Sequence, residues 1–288
     1  MEYRTYKDQD SLSVIGCGGV LLLGYDQRES DRIVSEAVDQ GINYFDVAPS
    51  YGNGEAEMRM GPALEPYRED CFLACKTMER SADKAAFEFK QSLKRMRTDH
   101  FDLYQLHAIF HTDKDIDAAF SKGGVMELLI RKKEEGQIRY LGFSAHSSAA
   151  ALAAMDRYPF DSILFPLNYA CYLKGGFGKE ILQAAEARGI ARLGLKAMAR
   201  QEWQIGDARR EGNKCWYEPH FDPEMIKLAI RWTLSQPITA IVPSGEILQF
   251  STAVELAQEP IKPLSEEEFG VLTADLEELY PMFPRVTP

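Results

Sequence analysis

The sequence predicts an α/β protein, a (β/α)8 barrel of the TIM type with an additional C-terminal helix, and three observations carry that expectation. Short apolar runs recur along the 288 residues, segments with apolar residues at helical spacing lie between them, and successive runs end on ionisable side chains. Strands that alternate with helices lie parallel, joined by right-handed crossovers, and eight such units close most simply on themselves. No Pro/Ser-rich linker, no repeat at a period of about 20–50 residues and no low-complexity tract interrupts the alternation. Residues 1–288 therefore read as a single barrel domain.

The predicted strands run in order. Val14–Gly16 opens the barrel, and Gly16 to Gly19 behind it is not a dinucleotide-binding turn, because Val20 to Leu23 stands where a third glycine should open a helix. Ile33, Val34, Ala37 and Val38 share a helix face before the strand Ile42–Asp46. Cys71–Lys76 follows, then a helix with Ala86, Phe89, Leu93 and Met96 on one side, then the strand Phe101–His107. An irregular stretch, Ala108–Gly124, leads towards Ile138–Ser144 and Ser162–Phe165. Ile190–Lys196 is the seventh strand, and the long stretch Arg200–Phe221 behind it reads as a rim loop, the place where barrels carry specificity. Asp222 and Pro223 form an N-cap and N1 pair for a helix that turns Ile226, Ala229, Ile230 and Thr233 inward. Ala240–Val242 is the eighth strand. Ser265 and Glu268 have capping-box spacing ahead of Phe269, Leu272, Leu276 and Leu279, which adds the terminal helix.

Composition narrows the partners. With 33 Lys plus Arg against 44 Asp plus Glu the net charge is −11, which gives no global attraction for nucleic acid or anionic membranes. The first residues mix charges and no apolar run approaches a signal h-region or a membrane span, so a cytoplasmic location is expected. Cys17, Cys71, Cys75, Cys171 and Cys215 are scattered, with no C-x-x-C pair and no cluster at ligand spacing, so neither a metal nor a disulfide framework is expected. Nothing in the pattern speaks to oligomeric state.

The strand ends hold the chemistry. Asp46, Lys76 and His107 close three consecutive strands, and Tyr51 lies five residues beyond Asp46 in a loop loosened by Gly52 and Gly54. Singly each has an ordinary explanation: a loop cap, a rim charge, a packed aromatic, a satisfied histidine. Together they put an acid, an ammonium, a phenol and an imidazole on one rim. A phenol with a reference pKa of about 10 is a poor proton donor near neutrality unless its anion is stabilised. Lys76 beside it is expected to lower that pKa, and Asp46 to keep the ammonium charged and oriented. His107 is suited to donate to a carbonyl oxygen or relay a proton.

These residues stand in three motifs: Gly41-Ile-Asn-Tyr-Phe-Asp46-Val-Ala-Pro-Ser-Tyr51-Gly, Lys76 at the end of its apolar strand, and Asp99-His-Phe-Asp-Leu-Tyr-Gln-Leu-His107. In order and spacing the chain resembles the aldo-keto reductase family over nearly its whole length. The resemblance implies a barrel that binds a nicotinamide nucleotide, with Tyr51 as general acid and Asp46, Lys76 and His107 completing a tetrad. It implies hydride transfer to or from the carbon of an aldehyde, ketone or sugar-like carbonyl, a small-molecule substrate, and no metal.

The resemblance also implies cofactor ligands. Ser144 stands in the carboxamide position, followed by Ala145 where the family has asparagine; Asn168 lies beyond the sixth strand, where Leu164 or Phe165 replaces a glutamine. Lys196 is placed to meet a pyrophosphate. In the family's phosphate clamp Ser244 is retained, while Pro243 and Gln249 replace two cations and Glu246 adds a negative charge. The implied cofactor is NADP(H), with NAD(H) a close second. Two alternatives remain open at this point: a cofactor-binding regulatory or sensor protein with little turnover, and a non-redox elimination or epimerisation in which hydride transfer is internal.

Overall fold

The structure, a computed structural model, describes residues 1–8, 10–204 and 213–284. An antiparallel hairpin, β1 (Tyr3–Lys7) and β2 (Asp10–Ser13), precedes the barrel. Alternation then brings β3 (Cys17–Gly18), α1 (Gln27–Asp39), β4 (Tyr44–Asp46), α2 (Glu55–Leu64), β5 (Phe72–Thr77), α3 (Ala82–Met96), β6 (Phe101–Ile109) and α4 (Val125–Glu134). It continues with β7 (Ile138–Ala145), α5 (Ser148–Arg157), β8 (Ser162–Pro166), α6 (Lys179–Ala187) and β9 (Ala191–Leu195). A second hairpin, β10 (Ala199–Glu202) and β11 (Tyr217–Pro219), stands before α7 (Pro223–Leu234), β12 (Ala240–Val242), α8 (Ile247–Leu256) and the added helix α9 (Glu266–Asp275).

The eight barrel strands are parallel neighbours in the order β3, β4, β5, β6, β7, β8, β9, β12. Ile15 closes the ring: it bridges Ile241 in parallel, with Gly16 N donating to Ile241 O and Ile241 N to Val14 O. The expected first strand, Val14–Gly16, is thus the closing edge, and the ladder with β4 is made one step later by Cys17 and Gly18.

Because strand side chains alternate, every second residue points into the barrel. Tyr44, Phe72, Ala74, Leu103, Tyr140, Leu164, Leu193 and Ala240 pack together inside with Tyr6 and Leu12 of the hairpin. The Tyr6 ring meets Phe72 at 5.0 Å and Tyr140 at 5.3 Å, so β1 and β2 plug the end where the strands begin. Two residues further up the same inward faces stand Asp46, Lys76 and Gln105, and Ser144 lies four beyond Tyr140. The interior thus turns from apolar to polar at the C-terminal rim, which is where the sequence pattern put its ionisable groups.

Three expectations change. The N-terminal hairpin, hidden in a charged segment with no apolar run, was not expected. The rim stretch Arg200–Phe221 holds β10 and β11 rather than loop alone, and its residues 205–212 lie outside the described ones. The Ser265 and Glu268 capping box forms, yet α9 buries Leu272 and leaves Phe269 40% exposed, because the helix lies across the outside of the barrel and packs on α7. All five cysteines are buried and free. No described helix is long and apolar enough to cross a membrane.

Candidate functional site

Strand register assembles the site. Asp46 pairs with Ala74, two residues before Lys76, and Lys76 pairs with Gln105, two before His107, so the three groups sit at neighbouring heights inside one rim. Tyr51 reaches them from the loop behind β4. That loop turns through three successive left-handed residues, Gly52, Asn53 and Gly54, at φ of 60°, 53° and 91°. Gly54 lies against the Arg95 guanidinium so closely that a Cβ there would come within 2.6 Å of it. Arg95 in turn pairs at 2.9 Å with the buried Glu57 of α2, which anchors the turn carrying Tyr51 to α2 and α3.

Lys76 and Asp46 form a buried ion pair, their side chains 1% and 3% exposed. Asp46 also accepts from the Tyr44 hydroxyl and from Gln105 Nε2, each at 3.4 Å. Lys76 Nζ lies 3.3 Å from Tyr51 Oη and 3.3 Å from Val47 O. The Tyr51 and His107 rings meet edge to face at 5.7 Å, and Ser50 Oγ stands 3.4 Å from His107 Nδ1. All four expected tetrad residues are therefore brought together.

Burial opposes the Lys76 charge, but Asp46 and then Tyr51 outweigh it and hold the ammonium above its usual range. Burial also drives the Tyr51 phenol upward; Lys76 pulls it down, as expected, without cancelling the burial. The net direction thus differs from the sequence expectation, and Tyr51 carries its proton at neutral pH. His107 is pushed well below the usual histidine range by burial, reinforced by Lys76, His146, Arg80 and Lys196, so its imidazole is neutral.

Two adjoining cavities open on this group and share Tyr51, Leu164, Leu195, Lys196 and Trp216 as walls. One, of about 430 Å³, is bounded by His107, Phe110, Ser144, His146 and Phe283. The other, of about 340 Å³, runs past Lys214, Ser244 and Gly245. Both fall in the size range of small-molecule sites. Of the residues expected to hold a cofactor, Ser144, Lys196 and Ser244 line this cleft. Ser144 Oγ accepts from Ala108 N at 2.8 Å, which leaves its own proton to donate. Lys196, at a left-handed φ of 61°, lies over the Trp216 and Tyr217 rings at 5.4 and 5.5 Å. The buried Ser244 Oγ has no partner among the described residues, the condition of a hydroxyl shaped for a ligand.

Asn168 and Gln249 do not line it. The Asn168 amide donates to Lys196 O at 3.2 Å and accepts from Cys171 N at 2.8 Å, pinning the backbone at the ends of β8 and β9. Gln249 is buried and donates to His220 O at 2.7 Å. Phe110, Trp216 and Tyr217 also line the cleft, whereas Trp203 donates to Cys215 O and His220 faces the Tyr169 hydroxyl. Sequence reading missed Lys214, whose Nζ donates to Leu21 O at 2.6 Å, and Phe283, which returns to the rim from the chain end. Neither sits at a strand end, so no periodic signal marks them.

Comparisons with known proteins bear on the family and the fold. The model of the Aldo/keto reductase family matches residues 14–204. Aldo-keto reductase YhdN of Bacillus subtilis is 28% identical, with 82% of this chain and 82% of that protein covered. Among solved structures, the holo form of aldo-keto reductase AKR11C1 from Bacillus halodurans superposes with a TM-score of 0.73 at 24% identity, covering 96% of each chain. The glycerol dehydrogenase AKR11B4 from Gluconobacter oxydans does so with a TM-score of 0.71 at 22% identity, over 99% of this chain and 98% of that one.

Proposed function

Because the chain belongs to the aldo/keto reductase family, we propose that it is a nicotinamide-dependent oxidoreductase in which Tyr51 protonates the oxygen of a small-molecule carbonyl, or takes the proton back from the alcohol. The observation that carries this reading is the Tyr51 hydroxyl, 3.3 Å from an ammonium that a buried Asp46 keeps charged, on the wall of a cavity of about 430 Å³. When bound, the reduced nicotinamide supplies the hydride.

The chain's own groups do the rest. Tyr51 delivers its proton, and Lys76 stabilises the tyrosinate left behind; Asp46 keeps Lys76 charged and aimed. His107, being neutral, donates one hydrogen bond to the carbonyl oxygen and orients it without competing for the proton. Ser144 would hold the carboxamide, while Lys196, Lys214 and Ser244 would hold the phosphate and ribose end. At that end Glu246 is the N-cap residue of α8, its carboxylate taken by Lys214 N, and Gln249 is turned away into the core. Pro243 and Gln249 stand at the two positions where the family's clamp carries cations for a 2′-phosphate, which favours NAD(H) over NADP(H), the reverse of the order implied by the family resemblance.

The test is Tyr51→Phe. The variant is expected to bind the nucleotide within about threefold of wild type while kcat/KM for an aldehyde falls by about 100-fold or more, the usual weight of a general acid. Wild-type turnover in that variant would end the assignment of Tyr51.

A further inference from the structure

The β6 ladder breaks where the site needs His107. Its pairing with β7 shifts register between Leu106 and Ile109, and Ala108 takes a left-handed φ of 56°, a conformation a non-glycine residue adopts only when its surroundings impose it. A bulge of this kind re-aims a side chain and strips backbone groups of their ladder partners.

Side chains replace those partners. Arg80 Nη2 donates to His107 O at 2.7 Å, and Ser144 Oγ accepts from Ala108 N. Asp115 Oδ2 accepts from Phe110 N and His111 N, each at 2.9 Å. Arg80 and Asp115 are paired at 3.0 Å, with side chains 14% and 16% exposed. The same guanidinium donates through Nη1 to Met78 O at 3.1 Å and Thr77 O at 3.4 Å, directly beyond Lys76. One planar fork therefore ties together the strand end that carries Lys76 and the one that carries His107, a task for which a lysine lacks the geometry.

We propose that Arg80 and Asp115 are positioning residues, which hold the bulged His107–Ala108 segment so that the imidazole faces the Tyr51 hydroxyl. The inference rests on the functional reading above for its catalytic consequence, and on the hydrogen bonds alone for its structural one. Around the imidazole the facing charged and titratable groups are Tyr51, Lys76, Arg80, His146 and Lys196.

The experiment compares full-length wild type, Arg80→Met and Asp115→Asn. Hydrogen exchange is read for residues 105–115 and, as a control, 223–234; nucleotide affinity is read by fluorescence; kcat and KM are read with methylglyoxal, glyceraldehyde and benzaldehyde. Both variants are expected to exchange about tenfold faster in 105–115 alone and to bind nucleotide within about threefold. Their kcat is expected to fall by about 10–100-fold with KM little changed, the effect of an ångström-scale misplacement. Unchanged exchange in 105–115, or wild-type kcat in a folded variant, overturns the proposal. A wild-type protein that reduces none of the three aldehydes overturns the functional reading instead, and exchange in 105–115 then decides alone whether Arg80 and Asp115 hold the segment.

Discussion

At the scale of single residues the site is an exercise in placing charge without water. Asp46 and Lys76 are buried together, and the pair holds because each is the other's counter-ion. Lys76→Met should leave Asp46 buried without an ionic partner and destabilise the protein by about 3–5 kcal/mol in denaturant unfolding, with a good part recovered in the Asp46→Asn, Lys76→Met double variant. The pH dependence follows from the same burial. Tyr51 is pushed up and His107 down, so neither changes protonation between them, and kcat/KM for carbonyl reduction should stay level from about pH 6 to about pH 9. Stability should behave differently. His107 lies well below its ordinary value and His220 is lowered to about 4, both chiefly by burial. As pH falls through about 6.5, the unfolded chain binds protons that the folded one refuses, so stability should drop progressively towards about pH 4, measured by thermal unfolding against pH. The tetrad itself was legible in the sequence, since each member ends a periodic strand or follows one closely. The direction of the Tyr51 shift was not, because burial is a property of the whole enclosure and not of the neighbouring lysine.

At the scale of elements the strands position the chemistry and the helices hold the loops. Residues of β4, β5 and β6 two steps apart point the same way, so apolar Tyr44, Ala74 and Leu103 lead up to Asp46, Lys76 and Gln105 on one inner face. Behind them α2 and α3 pack with no room to spare: a Cβ on Gly61 would come within 2.0 Å of Arg95 O. Gly61→Ala should therefore destabilise the protein even though alanine is the better helix former by about 1 kcal/mol, and the melting temperature relative to wild type reads the sign. Because Arg95 also supports the Tyr51 turn, the variant is expected to lose activity with stability. The plug formed by β1 and β2 escaped sequence reading for a physical reason. A two-stranded antiparallel cap needs few apolar residues, and Tyr6 and Leu12 gain their partners from strands that lie far along the chain. The hairpin of β10 and β11 is similar, since its partners are joined across residues 205–212 and no short-range turn signal links them.

At the scale of the whole molecule a chain of net charge −11 presents Lys196 and Lys214 along one cleft, while the Lys76 charge is matched by Asp46. A cationic cleft on an acidic body attracts an anionic nucleotide locally while the rest of the surface repels it, so binding should weaken as salt rises. Titration of NADH and NADPH by fluorescence should find NADH bound at least as tightly, because Gln249 and Glu246 offer a 2′-phosphate no cation; a clear preference for NADPH would show that Lys196 or Lys214 reaches that phosphate. The sequence by itself determined the order of strands and helices, the barrel they close into, and which polar groups stand at adjacent strand ends, because periodicity and strand order are local or nearly local properties. Only the tertiary structure decided that burial outweighs Lys76 at the Tyr51 phenol, that Asn168 and Gln249 turn into the core, and that Arg80 and Asp115, 35 residues apart, meet over the backbone of His107. Those outcomes depend on burial and on contacts between distant segments, and neither is written in the spacing of residues along a chain.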